Sequence, residues 1–409
     1  MACCYKEMCV KPEDVGLSSE ILANYDSILD KAFEDKILKG AVVLVARHGK
    51  IAHFKAYGNA DDDKAMDTDA IFRLASMSKM VGTVALMQLM DQGKVMISDP
   101  VSRYIPAFAD KKVASFEDGE LKLVDPVRPI TVHDILTMTS GIVSTWSAGD
   151  PGRDYSAGEM KKAGINDAMH DLDMTLEEYV DLAAPIPTAA QPGETWEYSN
   201  TSMLTAARIV EIVSGMPLDK YLEENIFKPL GMTDTAFFPD KEKWDRFPFV
   251  YAAETGEKLT ELDVPGTDDT RVPFGSNRKF FNCAGGLMGT TYDYYRFAQM
   301  LLNGGELDGV RIISKHAVDL ISQNHVGDKR DSFYGNAWGY MANVQVDWNT
   351  TFNYMGLGSW GWHGYWGTVF NIYPEKDMLT IFMTQCSPEP PSWKIQEQAL
   401  SVAASAVLD

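Results

Sequence analysis

The chain has few histidines, no cysteine framework and no long uninterrupted apolar run, and each scarcity removes a class of function. Seven histidines are spread over 409 residues, and none follows the acid–histidine pattern that a Ser–His–Asp triad needs. The nucleophile signature G-x-S-x-G of α/β-hydrolases is missing. The five cysteines, Cys3, Cys4, Cys9, Cys283 and Cys386, are odd in number, with three in the first nine residues. That excludes a disulfide scaffold, and no second Cys or His pair stands at zinc-like spacing, so no metal is expected. Such thiols suit a reducing compartment. The N-terminal region is interrupted by Lys6, Glu7, Lys11, Glu13 and Asp14, too polar for the core of a signal peptide, and no segment approaches a membrane span. A cytoplasmic protein is therefore expected. Basic residues are also scarce, 37 against 58 acidic ones for a formal charge of −21, which argues against nucleic acid and anionic membranes as partners. No repeat period is visible, and the oligomeric state is not legible.

What is present is a chain long enough for one large domain or two ordinary ones, with hydrophobic content of 45% and charged content of 23%, ordinary for a soluble globular protein. Its organising stretch is residues 72–80, Phe-Arg-Leu-Ala-Ser-Met-Ser-Lys-Met. An apolar run from Met77 to Met90 that stops at Gly93 predicts one buried helix, a rigid mount. Ser76 stands at its N-terminal end and Lys79 one turn further on the same face, where an amine reaches a hydroxyl. The unpaired N–H groups of that helix end favour an oxygen turning negative. Spacing alone does not establish a site, because a chain of this length contains about one Ser-x-x-Lys by accident. Ser276 and Lys279 form such a copy in a polar, glycine-flanked stretch, read as surface loop.

Around this helix the pattern changes along the chain. A helical stretch over 22–38 precedes a hairpin of strands 41–47 and 51–57, rich in β-branched residues. His48 and His53 lie in it and are explained by turn and strand-face positions. From 95 to about 290 short helical periods dominate. Thr131 caps a packing helix that ends near Gly141, and 144–170, with Trp146 and Tyr155, is an aperiodic Gly/Ser/Asp-rich loop, either a binding lid or a surface insertion. Residues 192–200 lead into a helix over 201–214 that Asn200 can cap. Tyr198 and Asn200, two apart in extended chain, face one cleft. Further helices span 218–230 and 291–302, with a long polar loop over 238–278. Strands 366–373 and 378–384 form a second hairpin, and an amphipathic helix over 393–407 follows. The fold class expected is α+β: one antiparallel sheet built from both chain ends and flanked by helices, carrying a mostly helical insertion. The sheet domain comprises 15–72 and 285–409 and the helical domain, with lid-like loops, 73–284; the active site lies between them.

A serine hydroxyl needs a base within hydrogen-bond reach; without a suitable histidine, a lysine serves when burial or a neighbouring cation lowers its pKa. The chain resembles the serine β-lactamase-related superfamily, in particular its class C β-lactamase, D-alanyl-D-alanine peptidase and family VIII esterase branch. The resemblance rests on Ser76-Met77-Ser78-Lys79 for S-x-x-K and Tyr198-Ser199-Asn200 for Y-x-N, with matching phrases at 130–142, 192–200 and 285–311, over roughly residues 15–385. The third motif, K-T-G in β-lactamases, is matched by Trp362-His363-Gly364, similar to the W-G-G of family VIII esterases. A tryptophan cannot supply the charge that holds a substrate carboxylate, so neutral esters are favoured; in a register one residue later His363 would restore a polar contact. A decoy set, Tyr334-Gly335-Asn336 with Ser276 and Lys279, crowds three motifs together and lacks the buried helix.

The resemblance implies a serine carboxylesterase working through an acyl-enzyme, without cofactor or metal, on a small-molecule ester or amide. Ser76 is the nucleophile, Lys79 its base and Tyr198 their partner and the proton donor to the leaving group. The N–H groups of Ser76 and Tyr365 form the oxyanion hole, and Asn200 orients substrate or Lys79. Trp362, His363, Gly364, Tyr155 and Trp146 contact substrate, and Trp360 and Trp366 are further aromatics for an acyl pocket or for core packing. The alternatives are a β-lactamase or D-amino-acid peptidase, an acyltransferase, and an inactive binding or sensor protein on the same fold.

Overall fold

The computed structural model describes residues 9–165, 172–253, 255, 257, 278–329, 337–347, 356–388 and 390–409. Seven antiparallel strands form its main sheet, in the order Lys50–Gly58, Gly40–Arg47, Met378–Thr384, Thr368–Tyr373, Trp360–Gly364, Asn343–Val344 and Ala337–Trp338. The N-terminal hairpin joins the C-terminal one through Gly40–Arg47, where Ala41 pairs with Thr384 and Arg47 with Met378. The sheet is thus closed across nearly the whole length of the chain, as the sequence predicts.

Alternation along Gly40–Arg47 explains the layers. Val42, Leu44 and Ala46 face a large core that includes the helices Ser78–Asp91 and Thr291–Leu302. Ala41, Val43 and Val45 face a second core that includes Asn24–Glu34 and Pro390–Ser405. A strand covered on both faces reads as a continuous apolar run, which is why every residue of it is buried. The helix Ser78–Asp91 is buried from Ser78 through Leu89. At roughly 1.5–3 kcal/mol for each large apolar side chain removed from water, its Val, Leu and Met residues anchor the centre of the molecule.

Several local expectations need correction. The stretch 144–170 is not aperiodic throughout, because Pro151–Lys162 is a helix, started by Asp150, whose carboxylate accepts from Arg153 N–H, with Pro151 at its first position. Residues 166–171 of that stretch lie outside the described residues, as does most of the polar loop over 238–278. The helix begun by Thr131 ends at Met138, in the left-handed region at φ 59°, before Gly141. Ser199, not Asn200, caps Asn200–Ser214, its hydroxyl accepting from Ser202 N–H. A hairpin of Val113–Glu117 and Glu120–Val124, unannounced in the sequence, lies within the helical region. Cys3 and Cys4 lie outside the described residues; Cys9 is half-buried and Cys283 and Cys386 are buried thiols. Among the described residues, no helix is long and apolar enough to cross a membrane.

Candidate active site

Ser76 sits in a tight turn, Ala75–Met77, between the short strand Ile71–Arg73 and the helix Ser78–Asp91. The preceding residue, Ala75, has φ 46°, a left-handed conformation that a Cβ-bearing residue adopts at a cost of about 1–2 kcal/mol. The turn is held from several directions. Leu74 N–H donates to Leu287 O at 3.0 Å, Leu287 N–H to Ser78 Oγ at 3.1 Å, Tyr294 OH to Met77 O at 3.0 Å, and Thr368 Oγ1 to Leu74 O at 3.0 Å. These contacts over-determine the strained backbone, and Ser76 remains partly exposed within it.

Lys79 is fully buried. Its Nζ lies 3.0 Å from Ser76 Oγ and 2.6 Å from Ala284 O, to which it donates. Among the described residues no carboxylate lies within ion-pair distance of it. Beneath the lysine, Cys283 packs so closely on Gly82 that a Cβ there would stand 2.4 Å from its Sγ; burial pushes this thiol up to about 12, which leaves it inert at neutral pH.

Tyr198 arrives from the opposite side on extended chain held by the turn after Thr131. Glu197 N–H donates to Met138 O at 2.8 Å, and Asn200 N–H to Ser144 Oγ at 3.0 Å. Glu197 is fixed further by Arg153 at 2.6 Å and by Ser147 Oγ at 2.6 Å, on the wall of a cavity of about 360 Å³ that Gly141, Asp150, Gln191 and Glu194 also line. Lys79 Nζ stands 4.9 Å from the centroid of the Tyr198 ring, and Trp362 Nε1 donates to Tyr198 OH at 3.1 Å.

The structure therefore brings Ser76, Lys79, Tyr198 and Trp362 together. It is Trp362 of the strand Trp360–Gly364 that meets the tyrosine hydroxyl; His363, half-buried, lies beside the indole with ring centroids 4.4 Å apart. Gly364 abuts the serine turn so closely that a Cβ on it would stand 2.3 Å from Leu74 O. Tyr365 follows Gly364 in the turn to Thr368–Tyr373, with its side chain exposed. Asn200 is buried in the first turn of its helix.

Trp146 is 47% exposed and Tyr155 half-buried on Pro151–Lys162, and neither makes a ring contact with Tyr198 or Trp362 among the described residues. Trp360 packs edge-on against Phe370 and Trp366 against Tyr365. The rings that surround Tyr198, besides Trp362, are Trp196 at 6.3 Å and Trp338 at 6.2 Å. Sequence reasoning missed both; Trp196, two residues before Tyr198 in extended chain, carried a same-face signal, whereas Trp338 carried none.

The rival residues fare differently. Lys279 pairs with Asp173 at 2.6 Å on the surface, and Ser276 and Tyr334-Gly335-Asn336 lie outside the described residues. His48 holds a left-handed turn position at φ 53°, and His53 contacts Tyr57 OH at 3.0 Å, its burial lowering it to about 4.

Comparison with known proteins identifies the family. A family model described as Beta-lactamase matches residues 26–405. Protein Rv1367c of Mycobacterium tuberculosis is 32% identical over 86% of this chain and 87% of its own. Esterase EstB of Burkholderia gladioli is 31% identical over 64% of each chain. Among solved structures, EstCE1, a hydrolase with promiscuous acyltransferase activity, superposes with a TM-score of 0.78 at 24% identity, covering 95% of this chain and 98% of its own, a likeness of fold.

Proposed function

The chain belongs to the beta-lactamase family and is a serine hydrolase of that superfamily, and from this premise we propose that it acts through an acyl-enzyme on uncharged carboxylic esters of small molecules. Ser76 attacks the ester carbonyl as its hydroxyl proton passes to Lys79, 3.0 Å away. The tetrahedral oxyanion is held by the N–H groups of Ser76 and Tyr365. The bond to the alcohol then breaks, the departing oxygen takes the Tyr198 proton, and Lys79 returns a proton to the tyrosine. Water repeats the sequence on the acyl-enzyme and releases the acid. Asn200, buried in the first turn of its own helix, is assigned the orienting of substrate or of Lys79.

The observation that carries the choice of ester is Trp362. Its indole occupies the position facing Tyr198, and an indole is a donor without charge, so the group at that position does not pair with a substrate carboxylate as a lysine would. Uncharged substrates lose nothing by that exchange.

The test is intact-mass spectrometry after incubation with p-nitrophenyl esters of graded chain length, a fluorophosphonate probe and nitrocefin. A single adduct that maps to Ser76 and is lost in Ser76→Ala is expected, with ester turnover far above nitrocefin turnover. Equal labelling of Ser76→Ala refutes the enzyme reading, and comparable nitrocefin turnover moves the assignment to a β-lactamase. Esters formed from an added competing alcohol would identify acyl transfer.

A further inference from the structure

Resting on the ester-hydrolase reading, we infer that Trp362 is a positioning residue that aims the Tyr198 proton at the leaving group, and that the site is thereby built for esters of unactivated alcohols. The indole N–H can only donate, and it donates to Tyr198 OH at 3.1 Å. The tyrosine oxygen spends a lone pair on that bond, so its own proton must point elsewhere. Before the serine gives up its proton, Lys79 does not claim that oxygen: its amine sits 4.9 Å from the ring centroid, with its bonds directed to Ser76 Oγ and Ala284 O. The remaining direction for the O–H is the open side, where Ser76 is partly exposed and the alcohol departs.

The aim is fixed because neither ring is free to turn. Trp362 is buried and paired with Phe370 in the sheet, and its indole stands edge-on to Trp338 at 4.5 Å and 88°. Trp338 is itself fully buried and packs edge-on against Trp196. The Tyr198 ring touches all three indoles. A donor immobilised in this way strengthens its bond as the tyrosine oxygen becomes negative on giving up its proton, and does so without placing a cation near the substrate.

The chemistry served is the cleavage of the ester C–O bond when the alcohol is a poor leaving group. The acyl carbon gains its bond to Ser76 Oγ and loses the alcohol oxygen, which takes the Tyr198 proton; the serine proton resides on Lys79 and restores the tyrosine. An activated phenolate departs with little need of that proton, whereas an alkoxide requires it. General-acid assistance of this kind contributes about 100-fold or more.

The experiment compares ethyl butyrate, followed by pH-stat, with p-nitrophenyl butyrate, which shares its acyl group. Trp362→Phe keeps the ring packing and removes the donor. It is expected to lose about 100-fold in kcat on the ethyl ester and at least about 30-fold less on the p-nitrophenyl ester, with KM little changed. Trp362→His, which keeps a ring N–H, recovers part of the difference. Trp362→Phe adds no further discrimination once Tyr198→Phe is present. Equal losses on the two esters overturn the inference, since packing or acyl binding alone would produce them. A second measurement needs no variant: across a series of butyrate esters the wild-type kcat/KM falls shallowly with leaving-group basicity, and a steep fall overturns the inference. If Ser76→Ala is inactive while the leaving-group pattern fails, this inference alone is wrong; if Ser76→Ala keeps wild-type turnover, the hydrolase assignment itself is wrong.

Discussion

A single methyl group placed on Gly364 should disable the enzyme without unfolding it. An added Cβ would stand 2.2 Å from Thr368 Oγ1 and 2.3 Å from Leu74 O, close to 1 Å inside any tolerable carbon–oxygen contact. Neither neighbour is the loose end of a side chain. Leu74 O is backbone, two residues before Ser76, and Thr368 Oγ1 is bonded to that same carbonyl at 3.0 Å. Relief requires the strand Trp360–Gly364 to draw back from the serine turn, carrying Tyr365 N–H with it. Overpacking of this order costs about 1–3 kcal/mol of stability, modest against the large cores on both faces of the sheet. The catalytic effect is larger: a misplacement of about 1 Å costs about 100-fold, and loss of one oxyanion donor about 100- to 1000-fold. Gly364→Ala is therefore expected to keep its circular dichroism spectrum and a cooperative melt while kcat on p-nitrophenyl butyrate falls about 100-fold or more. A folded variant within threefold of wild type would refute the reasoning, and with it the placement of the oxyanion hole at Tyr365.

Two further outcomes concern stability. Asp293 is buried at the start of Thr291–Leu302, and burial raises its carboxyl to about 6, although Asp234 N–H and Thr235 Oγ1 both donate to its Oδ2 at 2.8 Å. A raised value means that the folded state holds the proton more tightly, so this group's contribution is complete below about pH 4 and is lost as pH rises through about 6. Asp293→Asn can offer one oxygen to both donors, and at pH 7.5 it should gain up to about 3 kcal/mol; thermal melts at pH 7.5 and 4 should show the gain vanish on acidification, and a loss at pH 7.5 contradicts the account. Asp134 is the opposite case: burial pushes its carboxyl up, but Arg128 and Thr131 outweigh that and hold it below the ordinary range, so its contribution is present above that range and lost as pH falls further. It accepts from Arg128 at 2.6 and 2.8 Å and from Thr131 N–H at 2.8 Å, and Asp134→Ala should cost about 2–3 kcal/mol in urea unfolding, because the half-exposed Arg128 can regain water. A change below 0.5 kcal/mol would mean that the cap is idle.

How much of this was legible in the sequence depended on whether the signal was local. The two hairpins from opposite chain ends were readable because their β-branched runs stand beside tight turns, and the helix after Ser76 because it is apolar all round. The hairpin Val113–Glu117 and Glu120–Val124 was not, since its strands are only five residues long and the alternating Leu121 and Leu123 of the second, 39% and 49% exposed, bury no face. The three-residue strand Ile71–Arg73 has its partner, Met288–Thr290, more than 200 residues away, beyond the reach of any window. Asp150-Pro151 was a readable helix start hidden in a Gly/Ser-rich stretch. At the site, Ser76, Lys79 and Tyr198 stand out by motif. The wall of indoles behind Tyr198 depends on tertiary contact, and Trp338 had no sequence signal to give.

The two Ser-x-x-Lys copies show what converts spacing into chemistry. Lys279 is 45% exposed and paired with Asp173 at 2.6 Å, a surface ion pair. Lys79 has the same spacing and the opposite surroundings, buried, with no carboxylate within ion-pair distance among the described residues, and bonded to Ser76 and to the Ala284 carbonyl. Its neighbour Tyr198 is in turn met by an uncharged indole rather than by a second ammonium group. In the mechanism we propose, a site so assembled moves a proton from serine to lysine and from tyrosine to the departing alcohol while asking no charge of the substrate. That economy is the ground on which we propose a neutral ester, rather than a carboxylate-bearing amide, as its substrate.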